Sequence, residues 1–149
     1  MLATLQGFLA EGRFGPIVVG MTREEVLAAA GLPAEFHRGE TAEVASVWVN
    51  GRVTFWFDGD RLDQIGVYYV LSYPSNPAIQ FDANFPERAP ELDTLKAFMR
   101  DAGIAFSHDA QETLTAGGVQ INANPSCPVH SMIIPARSLG RREPRRGAP

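Results

Sequence analysis

What this chain of 149 residues lacks bounds it first. It has one cysteine, Cys127, so no disulfide can form within it, which fits a reducing compartment. It has no apolar run near the roughly 20 residues that a membrane-spanning helix needs. Its first residues, MLATLQGFLAEGRFG, lack the basic start of a secretion signal, and Gln6 and Glu11 interrupt the apolar stretch. The expectation is a cytoplasmic protein with no membrane partner.

Positive charge is scarce as well. The formal net charge is −4, from 13 Lys+Arg and 17 Asp+Glu. Residues 139–149 hold four of the basic residues and one of the acidic ones. That leaves nine basic against sixteen acidic side chains in residues 1–138, a net of −7. Nucleic-acid binding draws on a basic footprint that displaces counterions, and this body offers none. An acidic body suits a basic protein partner, because complementary charge speeds encounter and rejects wrong partners.

Catalytic motifs are missing too. No glycine-framed serine elbow occurs. Gly117-Gly118 is not followed by the lysine of a phosphate-binding loop and reads as a turn. A structural zinc site needs about four ligands in paired spacings. Cys127 and His130 form one pair with two residues between them, while His37 and His108 lie far off and unpaired. Asp58, Asp60 and Asp63 lack the later bidentate glutamate of a calcium loop. The expectation is therefore no metal, no cofactor, no catalytic residue and no enzyme. The competing account is a small enzyme or ligand-binding domain built on the Cys127/His130 region, where a thiol needs an oriented histidine beside it.

What is present is ordinary globular material, 45% apolar and 20% charged. A single domain of this length buries about two-thirds of its unfolded surface. Residues 1–138 read as that domain, and the Arg-, Pro- and Gly-rich 139–149 as a disordered basic tail.

The organising stretch is 44–70, VASVWVNGRVTFWFDGDRLDQIGVYYV, where three apolar runs are separated by Asn50-Gly51 and Asp58-Gly59-Asp60. Both separators are hairpin signals, so the stretch predicts a meander. A two-residue turn at Asn50-Gly51 places Trp48 opposite Val53. Strand alternation puts Val53, Phe55 and Phe57 on one face. A bulge after the second turn brings Ile65, Val67 and Tyr69 to that same face, the predicted core. The opposite face receives Val47, Val49, Thr54, Trp56, Tyr68 and Val70, too apolar for a plainly solvated surface.

Around the meander, Leu2, Leu5, Phe8 and Leu9 have helical spacing over 2–11. Thr22 and Glu25 make a capping box for a helix over 23–30 that Gly31 and Pro33 end. Leu92, Leu95, Phe98 and Met99 stripe a third helix over 91–101. Strands are predicted at 104–106, 113–121 and 129–134, and 34–43 reads as a loop. The fold class is α+β: an antiparallel sheet, from the meander 44–70 plus the C-terminal strands, packed against two or three helices.

Candidate binding residues follow from this layout. Trp56, Tyr68 and Tyr73 are aromatic at positions that the core does not claim, and Trp and Tyr concentrate at interface hot spots. The other account is that a helix or the C-terminal strands cover that face. Asp58 and Asp60 are explained as turn residues. With Asp63, Glu40 and Glu43 they also form an acidic rim for a partner.

The run Gly15-Pro16-Ile17-Val18-Val19-Gly20-Met21-Thr22-Arg23-Glu24-Glu25-Val26, followed by Gly31-Leu32-Pro33, resembles a recurrent bacterial pattern. It is similar to the repeat of small outer-membrane assembly lipoproteins and of the β-lactamase-inhibitor protein, where a helical layer packs on an antiparallel sheet. It also resembles small cytoplasmic immunity proteins encoded beside bacterial polymorphic toxins. There the motif precedes a strand pair of the form W-x-x-G-x-V/L-x-F-x-F-D, which here reads Trp48-Val-Asn-Gly51-Arg-Val53-Thr-Phe55-Trp-Phe57-Asp58. The likeness spans residues 14–70. Unlike the lipoproteins, this sequence is expected to carry no signal peptide and no lipidated N-terminal cysteine. The resemblance thus implies a non-enzymatic immunity protein that binds and neutralises a cognate toxin. A homo-oligomer paired through the outer sheet face is the third account.

Overall fold

A computed structural model describes residues 1–69, 73–108, 113–123 and 129–135. Cys127, Val70 and the tail 139–149 lie outside the described residues. In chain order the elements are β1 (Leu2–Ala3), α1 (Leu5–Glu11), β2 (Arg13–Phe14), β3 (Ile17–Val18), α2 (Arg23–Ala30) and β4 (Glu35–His37). Then come β5 (Val47–Asn50), β6 (Val53–Asp58), β7 (Arg61–Tyr68), β8 (Gln80–Phe81), α3 (Leu92–Asp101), β9 (Phe106–His108), β10 (Leu114–Ala116), β11 (Val119–Ala123) and β12 (Val129–Ile134).

Eight strands form one antiparallel sheet in the order β4-β5-β6-β7-β12-β11-β10-β9. The meander supplies β5, β6 and β7, and the C-terminal strands extend the sheet through β12. The fold is α+β, as the hydrophobic pattern predicts. No helix among the described residues is long and apolar enough to cross a membrane.

Local chemistry accounts for the helix ends. Glu25 N–H donates to Thr22 Oγ1 at 3.2 Å and Thr22 N–H donates to Glu25 Oε2 at 2.7 Å, so the expected capping box starts α2. The first helix is shorter than its spacing suggests. Thr4 caps it by accepting from Gly7 N–H at 3.0 Å, and Leu2 is instead exposed in β1, which pairs parallel with β8. Apolar spacing alone does not detect that cap.

Two meander details also differ. Asn50 pairs with Val53 and Trp48 with Phe55, so the turn is Gly51-Arg52 rather than Asn50-Gly51. The reason is backbone sign, since Gly51 sits at φ 61 and takes the first turn position. The shift leaves strand parity unchanged, so every described side chain of β5, β6 and β7 keeps its predicted face. The bulge falls where Phe57 pairs with Leu62 and Trp56 with Gln64, leaving Asp63 as the extra residue. Within 34–43, read as loop, the sheet gains its edge strand β4. Ile104 is buried but lies outside β9, which begins at Phe106.

All three helices bury apolar residues in one cluster: Leu5, Phe8 and Leu9 from α1, Val26 and Ala30 from α2, Leu95 and Met99 from α3. The sheet side of that cluster includes the row Trp48–Phe55–Ile65–Ile134 and the row Val53–Val67–Met132–Ile121–Leu114. Burying each of the larger side chains stabilises by about 1.5–3 kcal/mol. The predicted core residues Val53, Phe55, Phe57, Ile65 and Val67 are all in it.

Candidate functional site

The outer face of the sheet carries the residues that the helices leave alone. Row by row it reads Glu35–Val49–Thr54–Gly66–Ile133–Gln120–Thr115–Ser107 across all eight strands. None of these is in the apolar cluster beneath the helices. Its β5–β6 end is closed, with Val47, Val49 and Thr54 only 8%, 4% and 3% exposed, whereas Trp56, Tyr68 and Ile133 are half-buried.

Trp56 and Tyr68 lie half-buried on it, with ring centroids 5.5 Å apart and planes inclined by 61°. Gly66 makes that arrangement possible. A Cβ at Gly66 would sit 2.6 Å from Tyr68 Cε2 and 2.9 Å from Trp56 Cζ3, so both rings rest where a side chain would stand. The result is an edge-to-face aromatic platform fixed by a glycine within a strand. Burial pushes the Tyr68 phenol above its ordinary pKa, against the pull of a hydrogen bond with Gln64.

Beside the platform lies a groove of about 220 Å³ lined by His37, Arg38, Val47, Val49, Thr54, Trp56 and Tyr73. Tyr73 arrives from the loop after β7 and meets the His37 ring edge-on at 5.7 Å. His37 Nε2 is 3.3 Å from Glu35 Oε2. Trp56 and Tyr73, singled out from sequence, thus share one groove, and Trp56 and Tyr68 share the platform.

The acidic residues do not join them as one rim. Asp58 follows Trp56 on the outer face by strand parity, while Asp63 is the exposed bulge residue and Glu40 is exposed in the loop after β4. Asp60 and Glu43 instead line a second groove of about 320 Å³ with Arg23, Glu24, Leu27, Ala42 and Trp48. Trp48 belongs to the core face, so this groove opens on the helix side of the sheet edge. The set of eight predicted binding residues is split between two faces.

Arg23 organises the second groove. Its guanidinium donates through Nε and Nη2 to the Gly59 carbonyl at 3.0 and 2.8 Å, through Nη1 to the Ala42 carbonyl at 3.0 Å, and also to the Ala45 carbonyl. It lies 4.5 Å above the Phe57 ring centre and 5.9 Å from that of Trp48. Burial lowers its pKa, with Asp60 acting in the opposite sense. The adjacent backbone is tied as well: Arg23 N–H donates to the Asp60 carbonyl at 3.1 Å and Leu62 N–H to the Met21 carbonyl at 2.8 Å. Glu43 is held below its ordinary pKa by hydrogen bonds from Thr41 and its own backbone N–H.

The Cys127/His130 account has one member in view. His130 is exposed on β12, with Nδ1 3.4 Å from Ser131 Oγ, which accepts from Asn122 Nδ2 at 3.1 Å. Cys127 lies outside the described residues. No group of three or more potential metal ligands occurs among the described residues.

Sequence reasoning missed Gly66, Arg23 and His37 as site builders. A glycine inside a strand pattern signals a close approach, so Gly66 was findable. Arg23 and His37 act through loops whose course no local pattern specifies. No family model, curated protein or solved structure matches the chain.

Proposed function

We propose that this protein is a non-enzymatic immunity protein that binds and neutralises a cognate bacterial toxin in the cytoplasm. The observation that carries the reading is the Trp56–Tyr68 platform over Gly66, half-exposed on the outer face of the sheet. Large aromatic side chains fixed before binding are the usual anchors of protein interfaces, because they bury much area at little entropic cost. The body's net charge of −7 supports a basic partner. The resemblance of 14–70 to immunity-type sequences points the same way.

The test is co-expression with the toxin-domain protein encoded beside the gene, followed by titration of the purified pair. Wild-type protein restores growth and forms a stable complex. Trp56→Ala weakens binding about 30-fold or more, the size of a hot-spot truncation. Failure to protect cells from that toxin sinks the proposal.

A further inference from the structure

The sequence has two places where Asn or Asp precedes Gly, Asn50-Gly51 and Asp58-Gly59, one at each hairpin of the meander. Such pairs carry a chemistry of their own. The glycine nitrogen, unhindered by a side chain, attacks the preceding side chain at Cγ and closes a five-membered succinimide. From asparagine the leaving group is ammonia, and from aspartic acid it is water. Water then opens the ring at either carbonyl. The products are aspartate and isoaspartate, whose main chain runs through the former side-chain carboxyl. No oxidant or cofactor takes part. In an unfolded chain the asparagine pair is the faster of the two, so the sequence alone points to Asn50.

The fold treats the two pairs differently. Asn50 is 5% exposed and is paired with Val53 in the ladder. Its Oδ1 accepts from the Ala34 N–H at 3.2 Å. The Gly51 N–H, which carries the attacking nitrogen, donates to the Pro74 carbonyl at 2.7 Å. Gly51 is itself buried, and a Cβ there would stand 3.3 Å from Ser75 Cα. Swinging Asn50 Cγ onto that nitrogen requires breaking both hydrogen bonds.

Asp58-Gly59 is the opposite case. Both residues are exposed, and Asp58 takes part in no ion pair among the described residues. The Gly59 N–H donates no hydrogen bond among the described residues. Nothing lies within 4 Å of where a Gly59 Cβ would stand. Arg23 holds the Gly59 carbonyl at 3.0 and 2.8 Å and leaves the nitrogen free.

We propose that Asp58-Gly59, and not Asn50-Gly51, is the site of spontaneous succinimide formation and isoaspartate accumulation in the folded protein. The product adds one methylene to the main chain of a two-residue turn and moves the Gly59 carbonyl away from Arg23. The proposal stands independently of the immunity reading.

The test incubates the purified full chain at physiological temperature and neutral pH, once folded and once in urea. Peptide mapping reads deamidation of Asn50 from its mass gain. Isoaspartate at Asp58 is read from altered retention and from enzymatic methylation of isoaspartyl carboxyl groups. In urea Asn50 should react first. In the folded chain it should react at least about tenfold more slowly than in urea, because it waits on local opening, while isoaspartate still forms at Asp58. Asp58→Asn places the faster chemistry at the open turn, with the fold checked by thermal melting. The folded variant should deamidate at position 58 and leave Asn50 intact. Three results would each overturn the proposal. One is folded Asn50 reacting at its urea rate. Another is no isoaspartate at folded Asp58 by the time the urea sample has formed it. The third is an Asp58→Asn variant that deamidates equally at positions 50 and 58.

Discussion

Arg23 is the residue whose replacement tests the fold's logic most directly. Its guanidinium joins three pieces of chain: the start of α2, the β6–β7 turn at Gly59, and the 41–45 turn through Ala42 and Ala45. The contributions are unequal. Gly59 is exposed, so water replaces those two bonds in a variant and little is lost. Ala45 is fully buried and Ala42 half-buried, so their carbonyls lose partners that water replaces poorly. Orphaning such groups costs about 1–3 kcal/mol each. Loss of the cation above the Phe57 ring adds about 0.5–1 kcal/mol. Arg23→Ala should therefore destabilise by about 3 kcal/mol, or roughly 6–12 °C in melting temperature for a domain of this size. Arg23→Lys is the sharper variant. It keeps the charge but loses the planar fork, so one ammonium cannot serve both turns, and the expected loss is about 2 kcal/mol. Urea unfolding followed by intrinsic fluorescence measures both. Arg23→Lys within about 0.5 kcal/mol of wild type would show that charge alone matters and that the fork geometry does nothing, which refutes the account.

Other outcomes follow from single observations. Gly66→Ala should cost about 1 kcal/mol or less in stability, because the obstructing atoms belong to half-exposed rings that can tilt away, while partner affinity falls about tenfold as the platform breaks. Equal loss in both measurements would make Gly66 a packing residue only. Tyr69 has a buried hydroxyl with no partner among the described residues, and burial raises its pKa despite the opposing effect of Arg52. Tyr69→Phe should thus be neutral or stabilising by about 1 kcal/mol at pH 7. A raised folded pKa means the neutral phenol is favoured by folding. That contribution is whole below the unfolded value of about 10 and is lost as pH rises towards the higher folded value. Urea melts at pH 7, 9 and 10.5 should show wild type losing stability above pH 10 more steeply than Tyr69→Phe. Clear destabilisation by the phenylalanine at pH 7 would reveal a partner for the hydroxyl.

The sheet was largely legible because its evidence is local. Alternation in 53–57 and the two glycine-bearing turns determine which side chains face in, and moving one turn by a residue left that parity intact. The capping box of α2 is likewise a four-residue signal. What escaped is non-local. The loop 34–43 becomes an edge strand only because Val47 and Val49 offer β4 a ladder to join, and three residues carry too little pattern to announce that. The aromatic site was half legible. Trp56 and Tyr68 were found by parity, but Gly66 becomes meaningful only once the pairing of Thr54 with Gly66 places both rings above it. The acidic residues were grouped by charge, which ignores side: Asp60 and Glu43 meet Arg23 and Trp48 across the sheet edge from Trp56.

That division yields a kinetic prediction which charge counting alone does not. From β6 to β9 the outer row Thr54, Gly66, Ile133, Gln120, Thr115 and Ser107 holds no charge, and Trp56 and Tyr68 are neutral at physiological pH. Trp56→Ala removes no charge, so it should act on the dissociation rate with little dependence on salt. The groove around Glu43 and Asp60 is the opposite case. Its carboxylates act at a distance of about one Debye length, roughly 8 Å at physiological ionic strength. Glu43→Gln with Asp60→Asn should therefore lower the association rate about tenfold at low salt and much less at 0.5 M salt. Stopped-flow association with the toxin across a salt series separates the two effects. If Trp56→Ala changes the salt dependence of association as strongly as the double variant does, the two faces do not divide the work. In that case attraction and anchoring would have to arise from one continuous surface, which the opposite placement of Trp48 and Trp56 does not allow.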